Sequence, residues 1–467
     1  MSTHKPKFLV EKEKSGDNRT VFLASTWNSE GKEVPKITFI GAGSCVFTKT
    51  LVGDILQFPE LADSEIALMD IDPDRLEAAE ILAHKVAEAL NVKPKIIATT
   101  DRRAALDGAN YVICTIQVGG YEPCTVIDFE IPKKYGLKQT IADTLGIGGI
   151  MRGLRTIPVL ISICRDMEEL CPDAWLLNYS NPMAINTGAI LQQTKIKAVG
   201  LCHGIQGAHG WLARCLGIPR EELAFIAAGT NHCAWFIKLE HKGEDMYPRL
   251  RQLVEEGAEF VKQDPVRFEM LRRFGYYGGE SSEHMAEYVP YFIRKGREDL
   301  IERFSIPIDE YIRRCIRQNE AWDEQYRKFK DRNEPIGEIR RSSEYGSYII
   351  HSCETGEPCV VYGNVLNRNH ITNLPNGACV EIPCLVDRNG VQGVVVGDMP
   401  VQCAAITMTN VNVHLMTQKA SVTRKREDVY RAAMLDPLTA TNLTMDEIVA
   451  MCDELIEAHG DYLPKFE

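Results

Sequence analysis

Residues 36–72 constrain this chain more than any other stretch. Lys36–Ile40 (KITFI) is a buried-type strand that runs without a spacer into Gly41-Ala42-Gly43-Ser44, and a helical stretch over about 46–57 follows. Glu65–Met69 (EIALM) reads as a second strand ending at Asp70-Ile71-Asp72, after which Pro73 opens an amphipathic helix to about residue 90. Proline suits that first turn because its fixed φ is already helical. Glycines between a strand and a helix permit a tight turn and close backbone approach to a pyrophosphate, whose charge the helix N-terminus favours. An acid ending the second strand suits ribose hydroxyls and opposes a 2′-phosphate. Gly41, Gly43, Ser44 and Asp70 are therefore expected to bind NAD. The third glycine of the usual fingerprint is missing, with Val46 or Phe47 in its region. The alternative is a plain α/β turn with a helix-capping aspartate.

The pattern continues with strands at about 96–99 and 111–116, a helix around 151–170, and strands near 174–178 and 198–202. This β-α-β alternation predicts an α/β fold whose N-terminal part, 36–205, is a Rossmann-type, doubly wound parallel sheet. Beyond about 240, helical stretches at 249–263 and 309–331 mix with strands at 360–363 and 378–382, and a helix-rich tail starts at 402. Residues 206–467 are expected to form an α+β second part packed on the first, with no Gly/Ser/Pro-rich hinge between them. Residues 1–35 are polar and without clear period, and are expected to form a surface extension or a peripheral hairpin.

A net charge of −12 gives no basic face for nucleic acid. It also gives no reason to expect an anionic membrane partner, and no apolar run approaches the length of a membrane span. The first residues lack a hydrophobic signal region, so a cytoplasmic location is expected. Fifteen scattered cysteines, an odd number with no CxxC pair, fit reduced thiols, most of them small buried hydrophobes. Two positions stand apart. Cys202 lies at the end of a strand, where open α/β sheets place ligands, and His232 follows in Gly229-Thr230-Asn231-His232. A thiolate and an imidazole can hold a divalent ion, but two ligands do not make a structural zinc site. An open catalytic site, with substrate oxygens filling the other positions, is the better fit. On spacing alone, a buried cysteine and a satisfied core histidine are the commoner outcome.

Longer segments carry a family resemblance. ITFIGAGSCVFTKTLVGDIL with LMDIDPDRL, then NYSNPMAINT, GLCHGIQG, GTNHCAWF, RRFGYYGGESSEHMAEYVPYF and VYGNVLNRNHITNLPNGACVEIPCLVDRNG, resemble glycoside hydrolase family 4 in the family's order over nearly the whole chain. The resemblance implies a fold like that of lactate and malate dehydrogenases, with an α+β catalytic and oligomerisation part after the Rossmann part. It implies NAD, a divalent metal (usually manganese) on Cys202 and His232, and Asn181 contacting substrate hydroxyls. It places a general acid at Asp128 and a base at Tyr288, with Tyr291 as the alternative register. The plain alternatives are a solvated helix aspartate and aromatic core packing. The implied reaction departs from the two-carboxylate pattern of most glycosidases. Hydride leaves sugar C3 for NAD, and the ketone acidifies the C2 proton. The metal stabilises the enediolate, the leaving group departs from C1, and water addition and re-reduction close the cycle.

The histidine after Cys202 implies a non-phosphorylated α-glycoside. RRFGYYGGESSEH is similar to α-galactosidase members, whereas Gly204 is similar to α-glucuronidase and α-galacturonidase members. A hexuronide would need a cation, which Arg152, Arg272 or Arg273 offers. A homodimer or homotetramer is implied. Two rival readings are a dehydrogenase of the lactate/malate type, which would accumulate NADH, and a non-catalytic NAD-binding redox sensor. A thiolate ligand must be deprotonated and is oxidisable. Activity is therefore expected to need reductant and to disappear on chelation, and full activity in air-oxidised, EDTA-treated protein would remove the metal assignment.

Overall fold

The computed structural model describes residues 26–27, 33–330 and 336–467. The reading for 1–35 falls largely outside them; within them, Thr26–Trp27 pairs antiparallel with Glu33–Val34.

Six parallel strands open the fold: β1 (Lys36–Ile40), β2 (Glu65–Met69), β3 (Lys95–Thr99), β4 (Tyr111–Cys114), β5 (Trp175–Asn178) and β6 (Lys197–Leu201). Their spatial order, β3-β2-β1-β4-β5-β6, is the doubly wound order expected from the sequence. Every residue of β1 and β2 is buried, because helices cover both faces. Alternate residues of β1 feed two cores. Ile37 and Phe39 join the larger core with α1 (Cys45–Leu56) and α2 (Pro73–Ala89), while Ile40 packs with Leu160, Ile163 and Met167. Those three belong to α4 (Gly146–Leu170), which follows the short α3 (Val126–Lys134). Among the described residues α4 is the one helix long and apolar enough to cross a membrane, and its most apolar window is 78% buried in the core. It starts five residues before the expected 151. Gly148 and Gly149, poor helix formers, are required there: a Cβ on Gly148 would lie 2.5 Å from the Ala142 carbonyl oxygen, and one on Gly149 2.6 Å from the Thr144 carbonyl carbon.

Helices α5 (Met183–Gln193) and α6 (Gly204–Leu216) flank β6, and then the topology changes. The later strands are β7 (Leu223–Thr230), β8 (Cys233–His241), β9 (Cys359–Leu366) and β10 (Cys379–Asp387). They extend the same sheet as β6-β9-β10-β7-β8, each pair antiparallel, instead of forming a second one. Helices α7 (Pro265–Phe274), α8 (Ser282–Tyr288), α9 (Glu310–Lys330), α10 (Tyr345–Thr355), α11 (Val401–Thr423), α12 (Arg426–Leu435) and α13 (Met445–His459) complete this half. The helix expected over 249–263 is two, Tyr247–Glu255 and Phe260–Gln263, parted at Gly257 with φ +76°.

The chain leading into α10 returns across α1. Lys49 Nζ donates to the Ile336 carbonyl at 3.4 Å, Arg341 stacks 3.7 Å over the Phe58 ring, and buried Asp54 accepts from the Ser342 N–H at 2.7 Å and from its hydroxyl. Asp54→Ala should leave that N–H without its acceptor and cost about 1–3 kcal/mol. Thermal unfolding measures this, and an unchanged midpoint would show that water replaces the carboxylate.

Candidate active site

The crevice expected to take a dinucleotide lies where the strand order reverses, between the carboxyl ends of β1 and β4. Gly41 has φ +88°, and a Cβ there would sit 3.0 Å from the Thr115 carbonyl carbon. The Thr115 hydroxyl donates to the Gly41 carbonyl at 2.9 Å. Asp70 ends β2, and its carboxylate accepts from the Gly43 N–H at 2.7 Å and the Asp72 N–H at 3.0 Å. A side chain on Gly43 would meet that carboxylate at 2.7 Å. Ser44, whose N–H donates to the Gly41 carbonyl at 3.1 Å, leads into α1. Gly41, Gly43 and Ser44 therefore form one turn, and Asp70 reaches it from the end of the neighbouring strand.

A second cluster gathers at the carboxyl end of β6. Cys202 follows that strand directly, and its Sγ lies 3.3 Å from His232 Nε2. His232 sits in the two-residue turn between β7 and β8 with φ +61°. Gly229 lets this hairpin close: its φ is +153°, and a Cβ would strike the Cys233 carbonyl oxygen at 2.4 Å. Glu280 comes from the loop before α8, with Oε2 3.7 Å from His232 Nε2. The Cys202 sulfur, a His232 nitrogen and a Glu280 oxygen lie within 4.8 Å of one another, as do ligand atoms of Asp143, His232 and His284. Gly204 makes room for this, because a Cβ there would lie 1.8 Å from Glu280 Oε2. Tyr288, at the end of α8, places its hydroxyl 3.1 Å from His232 Nδ1. Tyr291, the alternative register, is 46% exposed and packs on Phe274. Asn181 donates to Asp143 Oδ2 at 2.9 Å and thereby joins the same group.

Residues 36–218 match the model of the Family 4 glycosyl hydrolases, and 227–439 match that of the family's C-terminal domain. The α-galactosidase of Bacillus subtilis (strain 168) is 50% identical over 432 residues, covering 92% of this chain and 100% of that protein. That of Rhizobium meliloti (strain 1021) is 38% identical over 92% of this chain and 89% of its own. The chain belongs to glycosyl hydrolase family 4. Its fold is also that of the 6-phospho-β-glucosidase from Thermotoga maritima, solved with manganese, NAD+ and glucose-6-phosphate. The TM-score is 0.76 at 22% identity, over 92% of this chain and 100% of that one.

In this family 4 enzyme the electrostatics of the cluster are those of a cation site. Burial, then Glu280 and Glu381, push the Cys202 thiol well above its ordinary range. Burial also raises the Tyr288 phenol, with Asp143, Glu287 and Glu280 adding to it. Glu280 itself is held low: burial opposes its charge, but His232, His284 and Arg267 outweigh it. Glu381, buried nearby, is pushed up to about 8 by burial and by Glu280. A thiolate, an imidazole and a carboxylate converging on one point suit a divalent ion of the first transition series.

Asp128, expected as the general acid, lies in a second buried group. It is 3% exposed, and its two oxygens accept from Arg155 at 3.1 and 2.6 Å, with His459 Nε2 at 2.9 Å. This carboxylate ties α3 to α4 and α13 through a guanidinium and an imidazole. The sequence reading did not single out Asp143, Glu280 or His284, although the last two lie inside the segment RRFGYYGGESSEHMAEYVPYF that it quoted. Gly204 was the available signal, since a bare position two residues after a ligand cysteine marks a close approach. Gly204→Ala should displace Glu280 and weaken divalent-ion binding by about 10–100-fold, with the fold intact by circular dichroism. Unaltered Mn2+ affinity by titration would exclude Glu280 as a ligand.

Proposed function

We propose that this glycosidase cleaves non-phosphorylated α-galactosides by the oxidation–elimination route, with NAD and a divalent metal, Mn2+ first, as cofactors. The observation that carries the reading is the Cys202–His232–Glu280 cluster, with Tyr288 on the far nitrogen of His232. The glycine turn and Asp70 would hold NAD, and Cys202, His232 and Glu280 the metal. Bound there, NAD supplies a hydride acceptor and donor, and the metal supplies Lewis acidity.

The chain's own groups divide the remaining work. Tyr288 takes the C2 proton, and the His232 ring fixes its hydroxyl. Asn181, held by Asp143 and by Arg152 Nε donating to its carbonyl at 3.3 Å, orients the sugar hydroxyls. For the carboxyl that exchanges a proton with the leaving oxygen we put Asp143, which lies among the ligand atoms of His232 and His284, ahead of Asp128, which pairs with Arg155 and His459. The two α-galactosidase relatives support a galactoside. A hexuronide is less well served, because two of the three candidate cations are already committed. Arg272 and Arg273 both pair with Glu269 on α7, and Arg152 is buried against Asn181 and Tyr311. The same reading assigns the cofactor to 36–205 and most of the substrate contacts to 206–467, in a cytoplasmic homo-oligomer.

The test uses reduced protein with NAD, Mn2+ and p-nitrophenyl α-galactoside, α-glucoside, α-galacturonide or galactoside 6-phosphate. Nitrophenol release is expected from the galactoside, dependent on both cofactors and without net NADH. In D2O the released galactose should carry deuterium at C2, because the abstracted proton is replaced from solvent. Net NADH without aglycone release would make the protein a dehydrogenase, and product free of C2 deuterium would rule out elimination.

A further inference from the structure

One buried carboxylate beside the site has no part in the reaction just described. Glu287 precedes Tyr288 on α8, and its carboxylate accepts from three consecutive backbone N–H groups. Oε1 takes those of Thr140 and of Ile141 at 3.0 Å, and Oε2 takes that of Ala142 at 3.1 Å. The Thr140 hydroxyl donates to the Glu283 carbonyl at 2.8 Å, so the turn is fastened to α8 twice. Within it, Ala142 holds φ +50°, a conformation that costs any residue with a Cβ. The next residue is Asp143. Its carboxylate accepts from Asn181 and from the Thr144 hydroxyl, both at 2.9 Å, and lies among the ligand atoms of His232 and His284.

We propose that Glu287 is a positioning residue: by accepting all three N–H groups it holds Ala142 left-handed and so aims Asp143 at His232, His284 and Asn181. The inference rests on the role given above to Asp143. Helix α8 carries His284 and Tyr288 as well, so one seven-residue helix sets both sides of the site. No other chemistry serves at position 287. A glutamine of the same shape keeps one acceptor oxygen but turns an N–H against that of Ala142, and an aspartate is one methylene short.

The experiment is a double-mutant cycle of Glu287→Gln and Asp143→Asn in the full chain with NAD and Mn2+, combined with backbone amide exchange over 140–143. Glu287→Gln is expected to slow turnover about 100-fold and to speed exchange at Ile141 and Ala142 about ten-fold. The double variant should be no slower than Asp143→Asn alone, since both changes disable one element. Multiplying losses, or exchange as slow as in the unmodified protein, would overturn the proposal. If Glu287→Gln fails to fold, Ala142→Gly in that background decides. Glycine takes φ +50° freely, so a folded, active protein is expected, and no recovery counts against the role. If the unmodified protein releases no nitrophenol, the functional reading fails by itself, and the amide exchange still decides the role of Glu287.

Discussion

Gly363 and Asn364 of β9 pair with Leu201 and Gly200 at the carboxyl end of β6, and this antiparallel seam joins the two halves of the molecule into one sheet. Without it, Cys202 would end an edge strand facing solvent, and the β7–β8 hairpin would have no fixed relation to it. Through β9 and β10, where Glu381 stands opposite Gly229, the hairpin turn bearing His232 is carried back to within 3.3 Å of the Cys202 sulfur. Backbone pairing is well suited to this task, because its register is quantised and a slip of one residue would turn every side chain to the wrong face.

What the seam assembles is electrostatically costly. Asp143, Glu280, Glu287 and Glu381 are all buried or nearly so in this region, together with a thiol and a phenol that burial drives toward their neutral forms. Such an arrangement persists only where the surroundings over-determine it, and here they do. Three backbone N–H groups fix Glu287, and Gly204 admits Glu280. By contrast, Asp128, Arg155 and His459 are three ionisable groups that pair inside the core and tie the C-terminal helix to α3 and α4. Burial is common to both sets. The first set gathers carboxylates around an imidazole and a thiol, whereas in the second a guanidinium and an imidazole face a single carboxylate.

The first half of the fold was legible because its signals are local. A buried strand entering Gly41-Ala42-Gly43, an acid at the end of the next strand and Pro73 at a helix start each act within a few residues. The β2 limits agree with the sequence reading residue for residue. The early start of α4 was not legible, because Gly146–Gly149 has poor helix propensity and is held by close contact with the 142–144 turn. Nor was the joining of the later strands to the first sheet, since strand character does not say which edge a strand will find.

The sequence by itself determined the family and pointed to the glycine turn with Asp70, the Cys202–His232 pair and the 282–288 segment: local residue type and spacing suggested the turn, and the run of family-like segments carried the rest. The tertiary structure places Asp143, which the sequence reading did not single out, among the ligand atoms of His232 and His284. Asp128, to which the resemblance pointed, is set against Arg155 and His459. It also sets Tyr288 against His232 and Tyr291 against Phe274, although the two tyrosines are three residues apart on and just beyond one helix. The physical reason is the same in both cases. Ionisation and reach depend on which groups the packing brings within a few ångströms, and those partners stand 27 (Arg155 to Asp128), 56 (His232 to Tyr288) and 331 (His459 to Asp128) residues away along the chain.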